Sequence, residues 1–214
     1  MDDRGYHRAT CRVSGRNHAR HRALVQAWRQ VFLEAGGSVP RRNVERLLRD
    51  TGVPVPAGDT RRLDMVVHGL GVYRGLPLLC DVFCVSPVTG AGSARPGALT
   101  IDGGAVQQAS RTCHTTDYPE VNPSGAGRLC ALGVEIFGRW SSDAVDVVRA
   151  LGRERCEGLP PRVRRGTHLR LLRRWWGLLG IATQRVVARA VSLGAAADLV
   201  ETPLESIPGI ADLA

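Results

Sequence analysis

Residues 62–86 read RLDMVVHGLGVYRGLPLLCDVFCVS, and this stretch decides the fold class. Apolar residues dominate positions 62–67 and 76–86, while three glycines interrupt the segment between these two runs. Two such runs around a glycine-rich connection predict a β-hairpin. The second run is apolar at almost every position, which is typical of a central strand that is buried on both faces.

The rest of the chain alternates helical and extended patterns around that hairpin. Apolar residues at helical spacing predict a first helix, with Ser14 as its N-cap and Gly36-Gly37 at its end. The predicted elements in chain order are helix 17–35, a mixed segment 39–48 that allows a strand, loop 51–60, strands 62–67 and 76–86, loop 87–104, a weak helix 105–116, strand 128–137, a helix capped by Ser141 or Ser142 and ended by 158–161, and helix 162–191. This order predicts an α/β fold with a small mixed β-sheet flanked by helices, followed by two C-terminal helices.

The charge of the chain is strongly basic and is carried by arginine alone. The 214 residues include 29 basic and 20 acidic residues, for a net charge of +9, and none of the basic residues is lysine. A surplus of this size favours a polyanionic partner, so we expect DNA, with RNA as the alternative. The absence of lysine excludes any chemistry that needs an amine side chain.

No segment has the pattern of an export signal or a membrane span. The N-terminal region is rich in arginine without an apolar core, and no apolar stretch approaches the roughly 18 residues that a span needs. These features predict a nuclear or cytoplasmic protein that is not secreted and has no membrane partner. The cysteines form no close pair, so reduced thiols are expected. Only His7 and Cys11 approach zinc-ligand spacing, and two ligands do not complete a zinc site.

Two aspartates in the hairpin are the strongest candidates for chemistry. Sixteen residues separate Asp64 from Asp81, and adjacent antiparallel strands can bring two such carboxylates together. A carboxylate pair suits Mg²⁺ or Mn²⁺, which can activate water for phosphodiester hydrolysis. A structural ion pair between Asp81 and an arginine remains an equal alternative. Glu34 or Glu45 could add a third carboxylate to a metal site.

Several short motifs, taken in order, resemble one family. They are His7 with Cys11, Arg20-His21-Arg22, Arg62-Leu63-Asp64, Asp81, Asp117-Tyr118-Pro119-Glu120, Gly138-Arg139-Trp140 and Arg173-Arg174-Trp175-Trp176. Together they resemble the restriction-endonuclease-like domain, of the PD-(D/E)xK type, at the C-terminal end of non-LTR retrotransposon polyproteins. The resemblance divides the chain into a zinc-knuckle remnant (1–15), a restriction-endonuclease-like core (16–140), a C-terminal helical extension (141–193) and a disordered tail (194–214).

The resemblance implies a DNA-nicking endonuclease, with Asp64 and Asp81 as catalytic metal ligands for Mg²⁺ or Mn²⁺. This chain departs from the family pattern at three points: it has Leu63 in place of proline, Arg22 in place of asparagine, and no catalytic lysine. Cys113 and His114 are nearest to the position of that lysine, and His114 is either its substitute or a surface residue. These departures predict a degenerate or weakly active nuclease.

Basic residues in the first third of the chain and in the last predicted helix are expected to contact nucleic acid. The candidates are Arg20, His21, Arg22, Arg61, Arg62, Arg170, Arg173 and Arg174. Any one of these arginines can also be a solvated residue on a helix surface, and Trp175-Trp176 can be core residues or a base-stacking platform. Two rival functions stay open, a non-catalytic nucleic-acid-binding remnant and a decayed reading frame without a selected function.

Overall fold

The computed structural model describes residues 16–40 and 45–192. The helices are α1 (Arg16–Glu34), α2 (Gly104–Thr112), α3 (Val121–Ser124), α4 (Ser142–Glu157) and α5 (Pro161–Ser192), and the strands are β1 (Arg46–Leu47), β2 (Arg62–Leu63), β3 (Met65–Val67), β4 (Leu78–Val85) and β5 (Arg128–Glu135). The predicted N-cap Ser14, the zinc-knuckle remnant with His7 and Cys11, and the tail 194–214 lie outside the described residues.

A three-stranded mixed sheet, in the order β3-β4-β5, forms the centre of the molecule. Strand β4 is antiparallel to β3, with Met65 opposite Cys80, and parallel to β5, with Cys80 opposite Cys130. The predicted hairpin and the mixed α/β class are therefore confirmed. The chain reaches β5 from β4 through a long loop and α2, as a parallel pairing requires a crossover.

Two of the predicted strands are shorter than their sequence pattern suggested. The run 62–67 divides at Asp64 into β2 and β3, and β2 pairs with β1 in a separate two-stranded sheet. In the described part of the mixed segment 39–48, Arg46–Leu47 forms a strand, and a 3₁₀ turn begins at Leu48. The loops predicted at 51–60 and 87–104 contain no strand or α-helix, apart from the end of that turn at Thr51 and the start of α2 at Gly104.

Helices α1, α4 and α5 cover one face of the sheet, and smaller elements cover the other. The first face contains a large apolar cluster that includes Trp28, Phe32 and Trp175, all fully buried. On the second face, Leu48, Cys113 and further residues of β2, α3 and β5 form another cluster. Alternate residues of β4 belong to the two clusters, so this strand is buried on both sides as predicted.

The two C-terminal helices are anchored to this core. Ser141 caps α4, because its hydroxyl oxygen accepts a hydrogen bond from the Ala144 N–H at 3.2 Å. Trp175 of α5 is fully buried, and Trp176 packs against Trp140 with ring centroids 5.4 Å apart. Both tryptophans therefore serve as packing residues. No helix within residues 16–40 and 45–192 is both long and apolar enough to cross a membrane.

Candidate active site

Asp64 lies in the one-residue break between β2 and β3. Its N–H donates to the Cys80 carbonyl at 3.0 Å, although Met65 is the register partner of Cys80. Two successive residues of one strand thus oppose one residue of the other, which is the arrangement of a β-bulge. Bulges redirect a side chain and occur next to active sites. Here the bulge turns the Asp64 carboxylate towards β4, where Oδ2 accepts a 2.6 Å hydrogen bond from the Val82 N–H.

His21 of α1 also contacts the Asp64 carboxylate. Its Nε2 lies 3.0 Å from Asp64 Oδ2. This hydrogen bond raises the pKa of His21, burial opposes the rise, and the negative charges of Asp64 and Asp81 add to it. His21 was predicted to contact nucleic acid, whereas the structure directs its ring to the carboxylates. A protonated His21 therefore supplies positive charge beside Asp64.

Asp81 is largely buried on β4, and among the described residues it has one weak hydrogen-bond partner. The Cys113 thiol donates to Asp81 Oδ2 at a distance of 3.7 Å. The pKa of Asp81 is raised to about 6, first by burial and second by the negative charge of Asp64. The structural ion pair between Asp81 and an arginine that the sequence left open is absent from the described residues. Asp81 is therefore a buried acid whose ionised form is poorly stabilised.

A π-helical turn, Cys113–Asp117, brings further groups to this site. The Asp117 charge contributes to the raised pKa of Asp81, and Cys113 reaches Asp81 directly. Burial and the charge of Asp81 raise the pKa of Cys113, so its thiol is neutral near pH 7. Cys113 was one of the two residues expected nearest to the position of the missing lysine, whereas Asp117 was not a predicted site residue. Their contribution depends on a π-turn, a feature that is often found at functional sites and has no clear sequence pattern.

Tyr118 closes the site beside the π-turn. Its hydroxyl donates to the Arg62 carbonyl at 2.6 Å. Burial raises the pKa of Tyr118, and the charge of Asp81 raises it further, so the phenol stays protonated at neutral pH. The Arg61 guanidinium lies over the Tyr118 ring, 6.0 Å from its centroid. Tyr118 therefore ties the segment that carries Asp64 to the segment that carries Cys113.

His114 does not face the aspartate pair. Its Nε2 lies 2.7 Å from Asp143 Oδ2, and its Nδ1 lies 3.3 Å from Asn122 Nδ2. Burial opposes the charge of Asp143, but hydrogen bonds from His114 and from the Ala131 N–H outweigh burial and lower the pKa of Asp143. The prediction of His114 as a catalytic substitute for lysine is therefore corrected, because both of its ring nitrogens are engaged elsewhere.

Glu34 and Arg174 form a largely buried ion pair between α1 and α5. Arg174 donates to both Glu34 oxygens at 2.7–3.1 Å, and Trp175 Nε1 donates to Glu34 Oε2 at 3.0 Å. Burial works against the charge of Glu34, but these hydrogen bonds outweigh it and lower the pKa. Glu34 is thus not the third carboxylate of the aspartate site. Arg174 is also removed from the predicted nucleic-acid surface, since its guanidinium is directed into this contact.

The remaining arginines that were predicted to contact nucleic acid differ in whether a carboxylate already holds them. Arg61 is held by Asp59 at 2.6 Å and by Glu120, and Arg62 lies 3.6 Å from the exposed Glu45. Arg22, Arg170 and Arg173 are exposed, and the described residues offer none of them an ion-pair partner. The side chain of Arg20 lies outside the described part of the chain. Glu45 is exposed and lies against Arg62.

The donor atoms of the aspartate pair suit a hard divalent cation. Asp64 and Asp81 each use Oδ2 for hydrogen bonds, and their Oδ1 atoms have no hydrogen-bond partner among the described residues. Mg²⁺ is commonly held by one or two carboxylates together with water and substrate phosphates. Within the described ranges, no group of three or more His, Cys, Asp or Glu is arranged to hold a metal ion. Any cation here would rely on the two aspartates and its substrate.

Comparisons with known proteins assign no function to this chain, so a functional assignment rests on the geometry of the site. No protein-family model, curated protein or solved structure matches this chain.

Proposed function

We propose that this chain is a weakly active, metal-dependent DNA-nicking endonuclease domain of the kind found in non-LTR retrotransposons. One observation carries the proposal: Asp64 directly precedes β3, Asp81 lies on the neighbouring β4, and burial together with the charge of Asp64 raises the pKa of Asp81. Two buried like charges are costly, and a shared cation is an effective way to stabilise them. The order of a helix, four strands, two helices and a further strand also supports an endonuclease-like core.

In this proposal each residue of the site has a distinct role. Asp64 and Asp81 would hold Mg²⁺ or Mn²⁺, which lowers the pKa of bound water towards neutrality and polarises a phosphoryl oxygen. The Val82 N–H and His21 fix the orientation of the Asp64 carboxylate. Asp81 must be ionised to bind a cation, so nicking should increase as the pH rises through about 6.

The neutral thiol of Cys113 explains why the activity should be low. Cys113 lies against Asp81, and it carries no positive charge to offset the charge that develops on the phosphate. A lysine at this position would supply that charge. The contact of Cys113 with Asp81, and of His114 with Asp143, supports Cys113 as the position where we propose that an amine would act.

The test is nicking of supercoiled plasmid by the purified chain in Mg²⁺ or Mn²⁺. Asp81→Ala should abolish the activity, Cys113→Lys should increase it, and His114→Lys should not, because that change disrupts the contact with Asp143 away from the site. Asp50→Asn serves as a control at an exposed carboxylate. Wild-type activity that is insensitive to Asp81→Ala or to chelation would refute the proposal.

A second candidate function is non-catalytic binding of nucleic acid. It is favoured by the exposed Arg170 and Arg173 on α5, which no described carboxylate neutralises. Contacts from such arginines to phosphates release counterions, so affinity should fall steeply with salt. Salt-dependent DNA binding without nicking in any divalent ion would favour this function. Replacing both arginines by alanine should then reduce the salt slope by about 2.

A further inference from the structure

A cavity of about 640 Å³ lies at the other end of the β3–β4 hairpin from Asp64. It is formed by the connection after β3 at Gly71 and Val72, the C-terminal end of α4, and the first turns of α5. Its volume lies within the usual range for small-molecule sites. The cavity shares no residue with the aspartate site, so an inference drawn from it is independent of the proposed nuclease.

Positive side chains dominate the lining of this cavity. Arg153 of α4 and Arg164 and Arg165 of α5 line it together with His168. None of these arginines has an ion-pair partner among the described residues. The Arg153 side chain donates one hydrogen bond, from Nε to the Arg149 carbonyl. The Arg164 side chain donates from Nε and Nη2 and leaves Nη1 without an acceptor. The Arg165 side chain makes no hydrogen bond within the described chain. Several N–H donors therefore remain for a ligand.

Two carboxylates also line the cavity, and they do not cancel this charge. Glu154 accepts a hydrogen bond from the Gly71 N–H, which turns its charge towards the backbone. Glu157 has no arginine partner in the described structure, although the Glu157 carbonyl accepts from Arg164. Three arginines thus face two carboxylates, and His168 adds a further donor.

The placement of Arg164 and Arg165 is unfavourable without a bound anion. Both lie at the N-terminal end of a 32-residue helix, α5, which has no acidic residue in its first turn, whereas Arg153 lies near the C-terminal end of α4. The helix dipole makes this end positive, so arginines here are destabilising and anions are stabilising. Helices α4 and α5 also approach closely here, since a Cβ on Gly152 would lie 3.1 Å from the His168 ring. The His168 ring therefore packs against α4 at Gly152.

We propose that this cavity, lined by Arg153, Arg164, Arg165 and His168, binds the dianion of a phosphate monoester. Arginine guanidinium groups bind phosphate through paired, charge-assisted hydrogen bonds. A monoester presents three terminal oxygens and close to two negative charges, which matches a site with several convergent arginines. A phosphodiester carries one charge and two free oxygens, and it would use fewer of these donors.

The test is calorimetric titration of the purified chain with phenyl phosphate, at constant ionic strength maintained with chloride. Arg165→Ala and Arg153→Ala should each weaken binding about tenfold or more, which is the contribution expected of a charge-assisted hydrogen bond. Arg165→Lys should retain part of the affinity because it keeps the charge. Arg149→Ala, on α4 but outside the cavity, should bind phenyl phosphate as the wild type does.

Two parallel titrations distinguish the sources of phosphate. Inorganic phosphate should bind at the same site, whereas dimethyl phosphate, a diester like the nucleic-acid backbone, should bind at least about tenfold more weakly. Circular dichroism and thermal unfolding of each variant without ligand identify any loss of folding. The proposal is overturned if phenyl phosphate does not bind, if Arg149→Ala weakens binding as much as Arg165→Ala, or if the diester binds equally well.

Discussion

Replacing Asp81 by asparagine should stabilise the folded protein at alkaline pH. The change keeps the shape of the side chain and the acceptor oxygen for Cys113, and it removes a buried charge next to Asp64. Functional residues often cost stability in this way, because a site that must bind a ligand is left with unbalanced charge. The increase in the free energy of unfolding therefore measures the cost of the buried charge that we attribute to the aspartate pair.

The expected magnitude follows from the pKa of Asp81. A pKa raised from 3.8 in the unfolded chain to about 6 in the folded protein corresponds to about 3 kcal/mol. Between these two values the folded protein binds more protons than the unfolded chain, so the free energy of unfolding decreases as the pH rises from 4 to 6. The loss approaches completion about one pH unit above this pKa. Asp81→Asn should thus be more stable than the wild type by up to about 3 kcal/mol at pH 8, with a difference that shrinks towards pH 4.

The assay is urea unfolding followed by circular dichroism from pH 5 to pH 8 in a chelating buffer. His21 also makes stability fall with rising pH, because its pKa is raised by the hydrogen bond to Asp64 and its contribution is lost as the ring deprotonates. The difference between wild type and variant at each pH isolates Asp81 from this background. Asp50→Asn, at an exposed carboxylate, should show no such pH-dependent gain.

Magnesium provides the second arm of the same experiment. At pH 8, Mg²⁺ should stabilise the wild type in a concentration-dependent manner, because it binds the folded state alone. It should not stabilise Asp81→Asn to the same extent. A variant that is less stable than the wild type at pH 8 would refute the reasoning, since Asp81 would then be a carboxylate whose charge the fold stabilises.

Three further predictions concern the framework that holds the site. Glu34→Ala should lower the free energy of unfolding by about 3–5 kcal/mol, because it leaves the largely buried Arg174 without its carboxylate; urea unfolding measures the loss, and an effect below 1 kcal/mol would contradict it. Ser141→Ala should cost about 1–2 kcal/mol, since the buried hydroxyl caps α4 and bonds to β5, whereas the exposed Ser142→Ala should cost little in the same assay. Gly133→Ala should destabilise by about 1–3 kcal/mol, because the added methyl would overlap the Phe83 ring, and a smaller residue at Phe83 should relieve the loss in a double-mutant cycle.

Much of the architecture was predictable because local patterns and tertiary packing agree. The run at 76–86 is apolar at nearly every position, and β4 is indeed the strand that both apolar clusters cover. Ser141 precedes an apolar period of helical spacing, and it does cap α4. By contrast, the run at 62–67 has a uniform strand pattern but divides at Asp64, since the bulge there depends on its pairing with Cys80.

The site was predictable only in part. Asp81 could be selected from the sequence because a carboxylate in an apolar run needs an explanation, and Asp64 because it lies on the partner strand. His114 could not be excluded, because the sequence does not specify whether a residue of a helical turn faces Asp81 or Asp143. Adjacent positions on such a turn point in different directions, so Cys113 reaches Asp81 while His114 reaches Asp143.

By itself the sequence determined most of the helices, which strand is central, and that its one carboxylate is chemically unusual. These properties depend on the spacing of apolar residues and on the cost of burying charge, both of which are local. Only the tertiary structure decided the partners of each charge. Glu34 and Arg174 are 140 residues apart, and His21 and Asp64 are 43 apart. Such pairings are set by how the helices pack on the sheet, because a charged side chain can be assigned a role only when its neighbours in space are known.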